Sequence, residues 1–193
     1  MAEARLVRRK ELAGHLLREA VFAARGLGPA AINRLRVSLL EAAAGIEQAP
    51  VLELVERIAP AIAEEVFPAA RWLLDRHLGD GHDVVLLSSS PHELLTAVAA
   101  ALDGAIVPVG TVAEVVEGCY TGLLAAPFCH GAGKLVRLEE AVGRRNLSTA
   151  AAYADSHSDL PVLRACGSPV AVNPDRGLRD AATAARWPIF HLF

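Results

Sequence analysis

One stretch of the sequence decides the fold: Ala152-Tyr153-Ala154-Asp155-Ser156-His157-Ser158-Asp159-Leu160-Pro161. Its two carboxylates, Asp155 and Asp159, are four residues apart, in the turn between a short apolar strand and a helix. In parallel α/β sheets, ligands bind at the carboxyl ends of the strands. Two carboxylates on so short a turn suit Mg²⁺, which usually takes one or two carboxylates with waters and a phosphate. The alternative, that Asp159 only caps the helix beginning near Leu160, explains one carboxylate but not both.

Strands and helices alternate on both sides of this turn. Residues 84–87 are four consecutive apolar residues, which is typical of a strand buried on both faces. Short strands are also predicted at residues 105–109, 151–154 and 170–172, and an edge strand at residues 188–192, with helical segments between them. This alternation predicts an α/β fold with a parallel, doubly wound sheet and right-handed crossovers.

Two further segments depart from the alternating pattern. From about residue 2 to residue 63 the apolar residues recur at helical spacing, and Gly and Pro divide the run into three or four helices. Residues 112–116 and 120–124, joined through Glu117-Gly118-Cys119, predict a β-hairpin that projects from the sheet.

The composition narrows the class of protein. The chain has 193 residues, a net charge of −3 and 53% apolar residues, which suits one domain with an elaboration and gives no electrostatic case for nucleic acid or an anionic membrane. No apolar run approaches the roughly 20 residues that span a bilayer. The three cysteines have no C-x-x-C spacing, which indicates a reducing, cytoplasmic location and no structural zinc.

Three motifs together resemble the haloacid dehalogenase (HAD) superfamily of phosphatases. Residues 83–91 resemble its second motif, a buried strand ending in Ser or Thr, and Gly131-Ala132-Gly133-Lys134 resembles its third, a single Lys at a helix start. The Asp155 to Asp159 turn resembles the fourth. Three segments resemble subfamily IB, the phosphoserine-phosphatase-like branch. They are Ser88-Ser89-Ser90-Pro91, the Asp-Ser-x-Ser-Asp-Leu-Pro turn and residues 170–176.

The resemblance implies a Rossmann-like HAD core at residues 67–193 and a helical cap at residues 1–66 that closes over the substrate. It implies a phosphomonoester hydrolase acting on a small phosphorylated metabolite, with Asp155 and Asp159 binding Mg²⁺. Ser88 would bind a phosphoryl oxygen, in preference to Ser90 because it directly follows the apolar strand, and Lys134 would supply positive charge. His157 is discounted as a transition-metal ligand because a hard oxygen site fits a phosphate enzyme. The other six histidines have no i, i+4 pairing and are treated as incidental.

One motif of the family is absent. The family's nucleophile lies in an Asp-x-Asp segment on the first strand, and no Asp-x-Asp occurs anywhere in this sequence. Either the sequence lacks the start of a longer, active Mg²⁺-dependent phosphatase, or the protein is a catalytically inactive HAD-like module that binds a ligand or partner. In the family the first strand lies between the strands at residues 84–87 and 151–154, so these two are expected to pair directly or to be separated by a gap.

Overall fold

The computed structural model describes residues 29–143 and 147–192. The helices predicted within residues 2–28 therefore lie outside the described residues. Contacts divide the chain into two compact units. Of the described residues, 29–58 and 113–125 form the first unit, and 59–112, 126–143 and 147–192 form the second. The domain boundary predicted near residue 66 stays a prediction.

The described part of the first unit consists of helices and a hairpin. Helix α1 spans Pro29–Ala43, and the first part of α2, which spans Gln48–Glu64, belongs to this unit. Strands β3 (Ala113–Val116) and β4 (Cys119–Leu124) pair antiparallel. The turn residues Glu117 and Gly118 have φ of 50° and 79°, the left-handed pair that suits the twist of a two-residue hairpin.

The second unit is built from parallel strands connected through helices, which confirms the α/β prediction. Helix α3 (Pro68–Gly79) leads into β1 (Val85–Pro91), and α4 (His92–Leu102) connects β1 to its parallel partner β2 (Val107–Thr111). Helix α5 spans Ala132–Val142. A second sheet, in the order β5-β6-β7, contains Ala151–Ala154, Ser168–Val172 and Ile189–Phe190, with α6 (Leu160–Ala165) and α7 (Arg176–Ala185) between its strands.

Strands β1 and β5 do not pair with each other. Among the described residues, β1 is hydrogen-bonded only to β2, and β5 only to β6. Of the two arrangements expected for these strands, direct pairing is therefore wrong. The expectation that residues 84–87 are buried on both faces is wrong, because all four are half-buried, and the strand that begins at Val85 is bonded along one edge within the described residues. On β5, Tyr153 is 40% exposed.

Two apolar clusters hold the second unit together. One consists of Leu160, Leu163, Ala171, Leu178 and Ala182, and joins α6 and α7 to β6. The other consists of Leu138, Val162 and Cys166, with Val85 and Leu87 of β1 and Ala152 of β5 packed against it. The second cluster matters for the site, because residues of both β1 and β5 pack against the same buried residues of helices α5 and α6.

Candidate functional site

The polar end of β1 departs from regular strand pairing. The register with β2 runs regularly to Leu87↔Val109 and then shifts before Pro91↔Thr111, so the three serines lie in an irregular segment. Bulges of this kind redirect side chains at strand ends. Ser88 is half-buried, and its hydroxyl donates to Ser90 Oγ at 3.1 Å and accepts from the Ser90 backbone N–H at 3.2 Å.

A tight loop positions the start of α5. The backbone N–H of His130 donates to Phe128 O at 2.7 Å, and the N–H of Lys134 donates to Gly131 O at 3.1 Å. Gly133 is required by this geometry, since a Cβ there would lie 2.0 Å from Phe128 O. The loop therefore delivers Lys134 to the first turn of α5, as the sequence predicted, and buries it at 8% exposure.

Lys134 and Asp159 form a buried ion pair. Lys134 Nζ donates to Asp159 Oδ1, and the two side chains are 10% and 12% exposed. A Lys in the first turn of a helix is disfavoured by the macrodipole unless an anion lies nearby, and Asp159 is that anion. The capping alternative for Asp159 is wrong: it precedes α6, but its side chain makes no capping hydrogen bond.

Asp155 lies at the opposite end of the same turn in an exposed position. It is the residue that follows β5, and its carboxylate has no hydrogen bond or ion pair among the described residues. The turn around it is held by Asp175, whose backbone N–H donates to Asp155 O at 2.8 Å. The Asp175 carboxylate accepts from the His157 and Leu178 backbone N–H groups, both at 2.8 Å, and so caps α7.

Two residues that the sequence analysis did not single out lie beside the ion pair. Cys129 is fully buried, and burial raises the pKa of its thiol, while Lys134 acts in the opposite direction. The thiol donates to Val109 O of β2 at 3.7 Å, and the nearby Ser88 backbone lowers the pKa of the thiol, so the Lys134 loop lies against the ends of β1 and β2. Burial, followed by Lys134, lowers the pKa of His130, against an opposing effect of Asp159. In the sequence, the only sign of a role for these two residues is that they directly precede the Gly131 to Lys134 motif.

The structure thus brings Ser88, Lys134 and Asp159 into one neighbourhood, with Asp155 exposed on the turn that carries Asp159. No cluster of three or more His, Cys, Asp or Glu side chains within residues 29–143 and 147–192 has the geometry of a complete metal site. The donor set nevertheless fits Mg²⁺, since Asp155 offers uncommitted carboxylate oxygens and Mg²⁺ keeps several waters beside one or two carboxylates.

Comparison with known proteins shows the family to which the chain is similar. The family model described as haloacid dehalogenase-like hydrolase matches residues 1–164. Phosphoserine phosphatase SerB1 of Mycobacterium tuberculosis (strain ATCC 25618 / H37Rv) is 36% identical over 186 residues, which cover 93% of this chain and 59% of that protein. The chain therefore spans less than two thirds of the length of this relative.

Solved structures show the same fold. A crystal structure of a protein of unknown function from Bordetella pertussis Tohama I has a TM-score of 0.70 at 26% identity, covering 100% of this chain and 84% of that one. A probable phosphoserine phosphatase from Vibrio cholerae has a TM-score of 0.56 at 20% identity, covering 88% of this chain and 51% of that one. In the part of the chain that the structure describes, no helix is both long and apolar enough to cross a membrane.

Proposed function

The chain belongs to the haloacid dehalogenase-like hydrolase family, and we propose that its site binds the phosphoryl group of a small phosphorylated metabolite together with Mg²⁺. The observation that carries this proposal is the buried pair of Lys134 and Asp159. A buried ion pair is weak evidence for added stability, because removing two charges from water is costly. Its place where parallel strands end, which is the ligand-binding edge of α/β sheets, favours a role in ligand binding.

Each residue has a distinct part in the proposed site. Asp155 and the second carboxylate oxygen of Asp159 bind Mg²⁺, which when bound neutralises charge on the phosphoryl oxygens. The Ser88 hydroxyl donates to a phosphoryl oxygen, which requires it to exchange its present bond to Ser90 for the ligand. Lys134 adds a fixed positive charge in a water-poor setting, where electrostatic stabilisation is strongest. The three cysteines are unpaired in the structure, which supports the proposed cytoplasmic location.

We propose that this chain by itself does not turn over phosphomonoesters. Covalent catalysis in the family needs an aspartate nucleophile from an Asp-x-Asp segment, which this sequence does not contain. An added strand carrying that segment would have strand edges to pair with, because β1 and β5 are each bonded along one edge only within the described residues. The alternative function, an inactive module that binds a phosphorylated ligand or a partner, is favoured by the same missing motif.

Calorimetric titration with inorganic phosphate, with and without Mg²⁺, tests the binding site. We expect binding that requires Mg²⁺, is abolished by Asp155→Asn and is weakened about tenfold by Ser88→Ala, on the scale of one hydrogen bond to a charged group. Asp180→Asn is the matched control, because Asp180 is an exposed carboxylate on α7, away from the turn. Equal affinity with and without Mg²⁺, or in Asp155→Asn, would overturn the proposed Mg²⁺ role.

Turnover of a generic aryl phosphate separates the two functional alternatives. The protein is compared with a version extended at its N-terminus by an apolar strand that ends in Asp-x-Asp. Turnover by the extended version alone would support the phosphatase, and phosphate binding without turnover in both would support the binding module. Turnover by the 193-residue chain that disappears in Asp155→Asn would contradict the proposal that it is inactive by itself.

A further inference from the structure

A cluster of three ring side chains contains none of the residues assigned to the proposed phosphate site. His77 Nδ1 is 3.0 Å from His82 Nδ1, and His77 Nε2 is 3.1 Å from the Tyr153 hydroxyl. His77 belongs to the last turn of α3, His82 to the loop ahead of β1, and Tyr153 to β5. His82 is exposed and His77 is half-buried, so a small ligand can reach the pair from solvent.

The way in which α3 ends explains why the two imidazoles meet. The backbone N–H of His82 donates to His77 O at 3.0 Å, and the N–H of Gly81 donates to Leu78 O at 3.0 Å. Gly81 has a φ of 76°, and together these features define a Schellman motif. This motif brings the side chains at its first and last positions together, usually as an apolar contact. In this chain those positions are His77 and His82, so the contact is made by two imidazole rings whose nitrogens can bind a metal ion.

The spacing of the two nitrogens suits a shared cation. Two imidazole nitrogens bound to one tetrahedral Zn²⁺ lie about 3.3 Å apart, given Zn–N bonds of about 2.0–2.1 Å. The Nδ1 atoms of His77 and His82 are 3.0 Å apart and the ring centroids 5.2 Å apart. Chelation therefore requires a few tenths of an ångström of separation and a rotation of the two rings toward a shared ion. When both Nδ1 lone pairs face each other, they repel unless one nitrogen carries a proton or both bind a metal ion.

The surroundings of the pair also favour a cation. The last carbonyl groups of α3 carry the negative end of the helix dipole, and the exposed Asp80 lies within the same turn. The Arg76 guanidinium, 3.8 Å from Asp80, opposes this effect. Tyr153 can accept the Nε2–H of His77, which leaves the Nδ1 lone pair available. Metal-binding histidines commonly have such a partner on the other nitrogen, which fixes the tautomer and the ring orientation.

We propose that His77 and His82 bind a borderline divalent cation such as Zn²⁺ through their Nδ1 atoms, with Tyr153 orienting the His77 ring. Imidazole nitrogen suits Zn²⁺, whereas Mg²⁺ prefers oxygen, so this site is chemically distinct from the one at Asp155. Two protein ligands leave the other coordination positions to water. The bound ion holds the turn before β1 in the geometry that contacts β5, and so braces two strands that do not pair with each other.

Calorimetric titration of tag-free protein with Zn²⁺ tests the site, in the presence of excess Mg²⁺ to occupy the carboxylates. We expect one Zn²⁺ per chain, with affinity reduced at least tenfold by His77→Gln or His82→Gln. Tyr153→Phe should weaken binding by about tenfold, as loss of a ligand-orienting partner does. His191→Gln is the matched control, since His191 is exposed and far from the turn in sequence. No binding by the wild-type protein, or wild-type affinity in His82→Gln, would overturn the proposal.

Measurements on the wild-type protein test the proposal even if a variant fails to fold. Imidazole resonances are followed by NMR during the Zn²⁺ titration, and those of His77 and His82 should shift first and together. Thermal unfolding should move upward by about 5 °C at a hundredfold excess of Zn²⁺ over Kd, because the ion binds only the folded state. Shifts confined to other histidines, or a melting temperature that does not respond to Zn²⁺, would contradict the proposal.

Discussion

The two ends of the turn from Asp155 to Asp159 carry the same side chain in opposite environments. Asp159 is 9% exposed and its carboxylate bonds to Lys134, whereas Asp155 is exposed and its carboxylate has no partner among the described residues. The buried end is supported by close-packed neighbours such as Cys129. The exposed end is supported by backbone hydrogen bonds to Asp175.

This difference predicts that the two ends of one short segment contribute differently to stability. A buried carboxylate depends on its partner, because an unpaired buried charge is costly. An exposed carboxylate remains hydrated and can change its ligands at little cost. We therefore expect substitutions at the buried end to lower the free energy of unfolding as well as ligand binding, and substitutions at the exposed end to change Mg²⁺ and phosphate binding with little effect on stability.

The largest expected effect comes from breaking the buried pair. Lys134→Met leaves the Asp159 carboxylate buried without a partner, and the free energy of unfolding should fall by about 3–5 kcal/mol. Denaturant unfolding measures this change. Asp155→Asn is the matched control at the exposed end and should stay within about 0.5 kcal/mol of the wild type. Equal losses in the two variants would mean that the turn does not divide into a buried and an exposed end.

The next largest effect concerns the loop that delivers Lys134. In Gly133→Ala, the new Cβ would lie 2.0 Å from Phe128 O, so the backbone must move. Overpacking of this kind costs about 1–3 kcal/mol, and phosphate affinity should fall as well because Lys134 is displaced. Gly104→Ala is the control, because a Cβ there meets no atom within 4 Å. Wild-type stability in Gly133→Ala would show that the loop is more adaptable than its contacts indicate.

A smaller loss of stability is expected when Asp175, which supports the exposed end of the turn, is replaced. Asp175→Ala removes the acceptor of two backbone N–H groups, on Leu178 and His157, and the free energy of unfolding should fall by about 1 kcal/mol, as for other helix caps. Asp180→Ala on the same helix is the control, because its carboxylate reaches Arg176 only at 4.0 Å on the protein surface. If both variants lose the same stability, the cap has no special role.

The smallest expected effect is on the pH dependence of stability. Burial and Lys134 lower the pKa of His130 below its ordinary value of 6.5, so the unfolded state binds more protons than the folded state as the pH falls below about 6.5. The free energy of unfolding therefore has the full contribution of this residue above pH 6.5 and loses it progressively as the pH falls below that value. Unfolding free energies measured between pH 7 and 5 should therefore fall less steeply in His130→Asn than in the wild type. Parallel curves would contradict this.

Much of the site was predictable because its residues follow chain-local rules. Lys134 is at a helix start and Asp155 follows a strand, and both features could be read from the apolar pattern around them. The pairing of Lys134 with Asp159 could not, because the sequence does not state which groups meet across 25 residues. The roles of Cys129 and His130 likewise depend on burial between segments, for which the sequence has no local signal.

The contact of His77 with His82 marks a limit of spacing rules. A search for histidines at i, i+4 misses this pair, whose members are five residues apart. Within a continuous helix, that spacing points side chains in different directions. The left-handed residue Gly81 ends the helix and returns the chain to the same face, so the pair forms through the cap and not through the helix.

By itself the sequence determined the order of strands and helices, the α/β class and the family, because periodicity and short motifs are properties of neighbouring residues. Tertiary structure alone decided that Asp159 is buried against Lys134 while Asp155 stays exposed, and that β1 and β5 are each bonded along one edge within the described residues. Burial and strand pairing arise from contacts between distant segments. Their free energies depend on which groups lose water together, and a local pattern does not specify that.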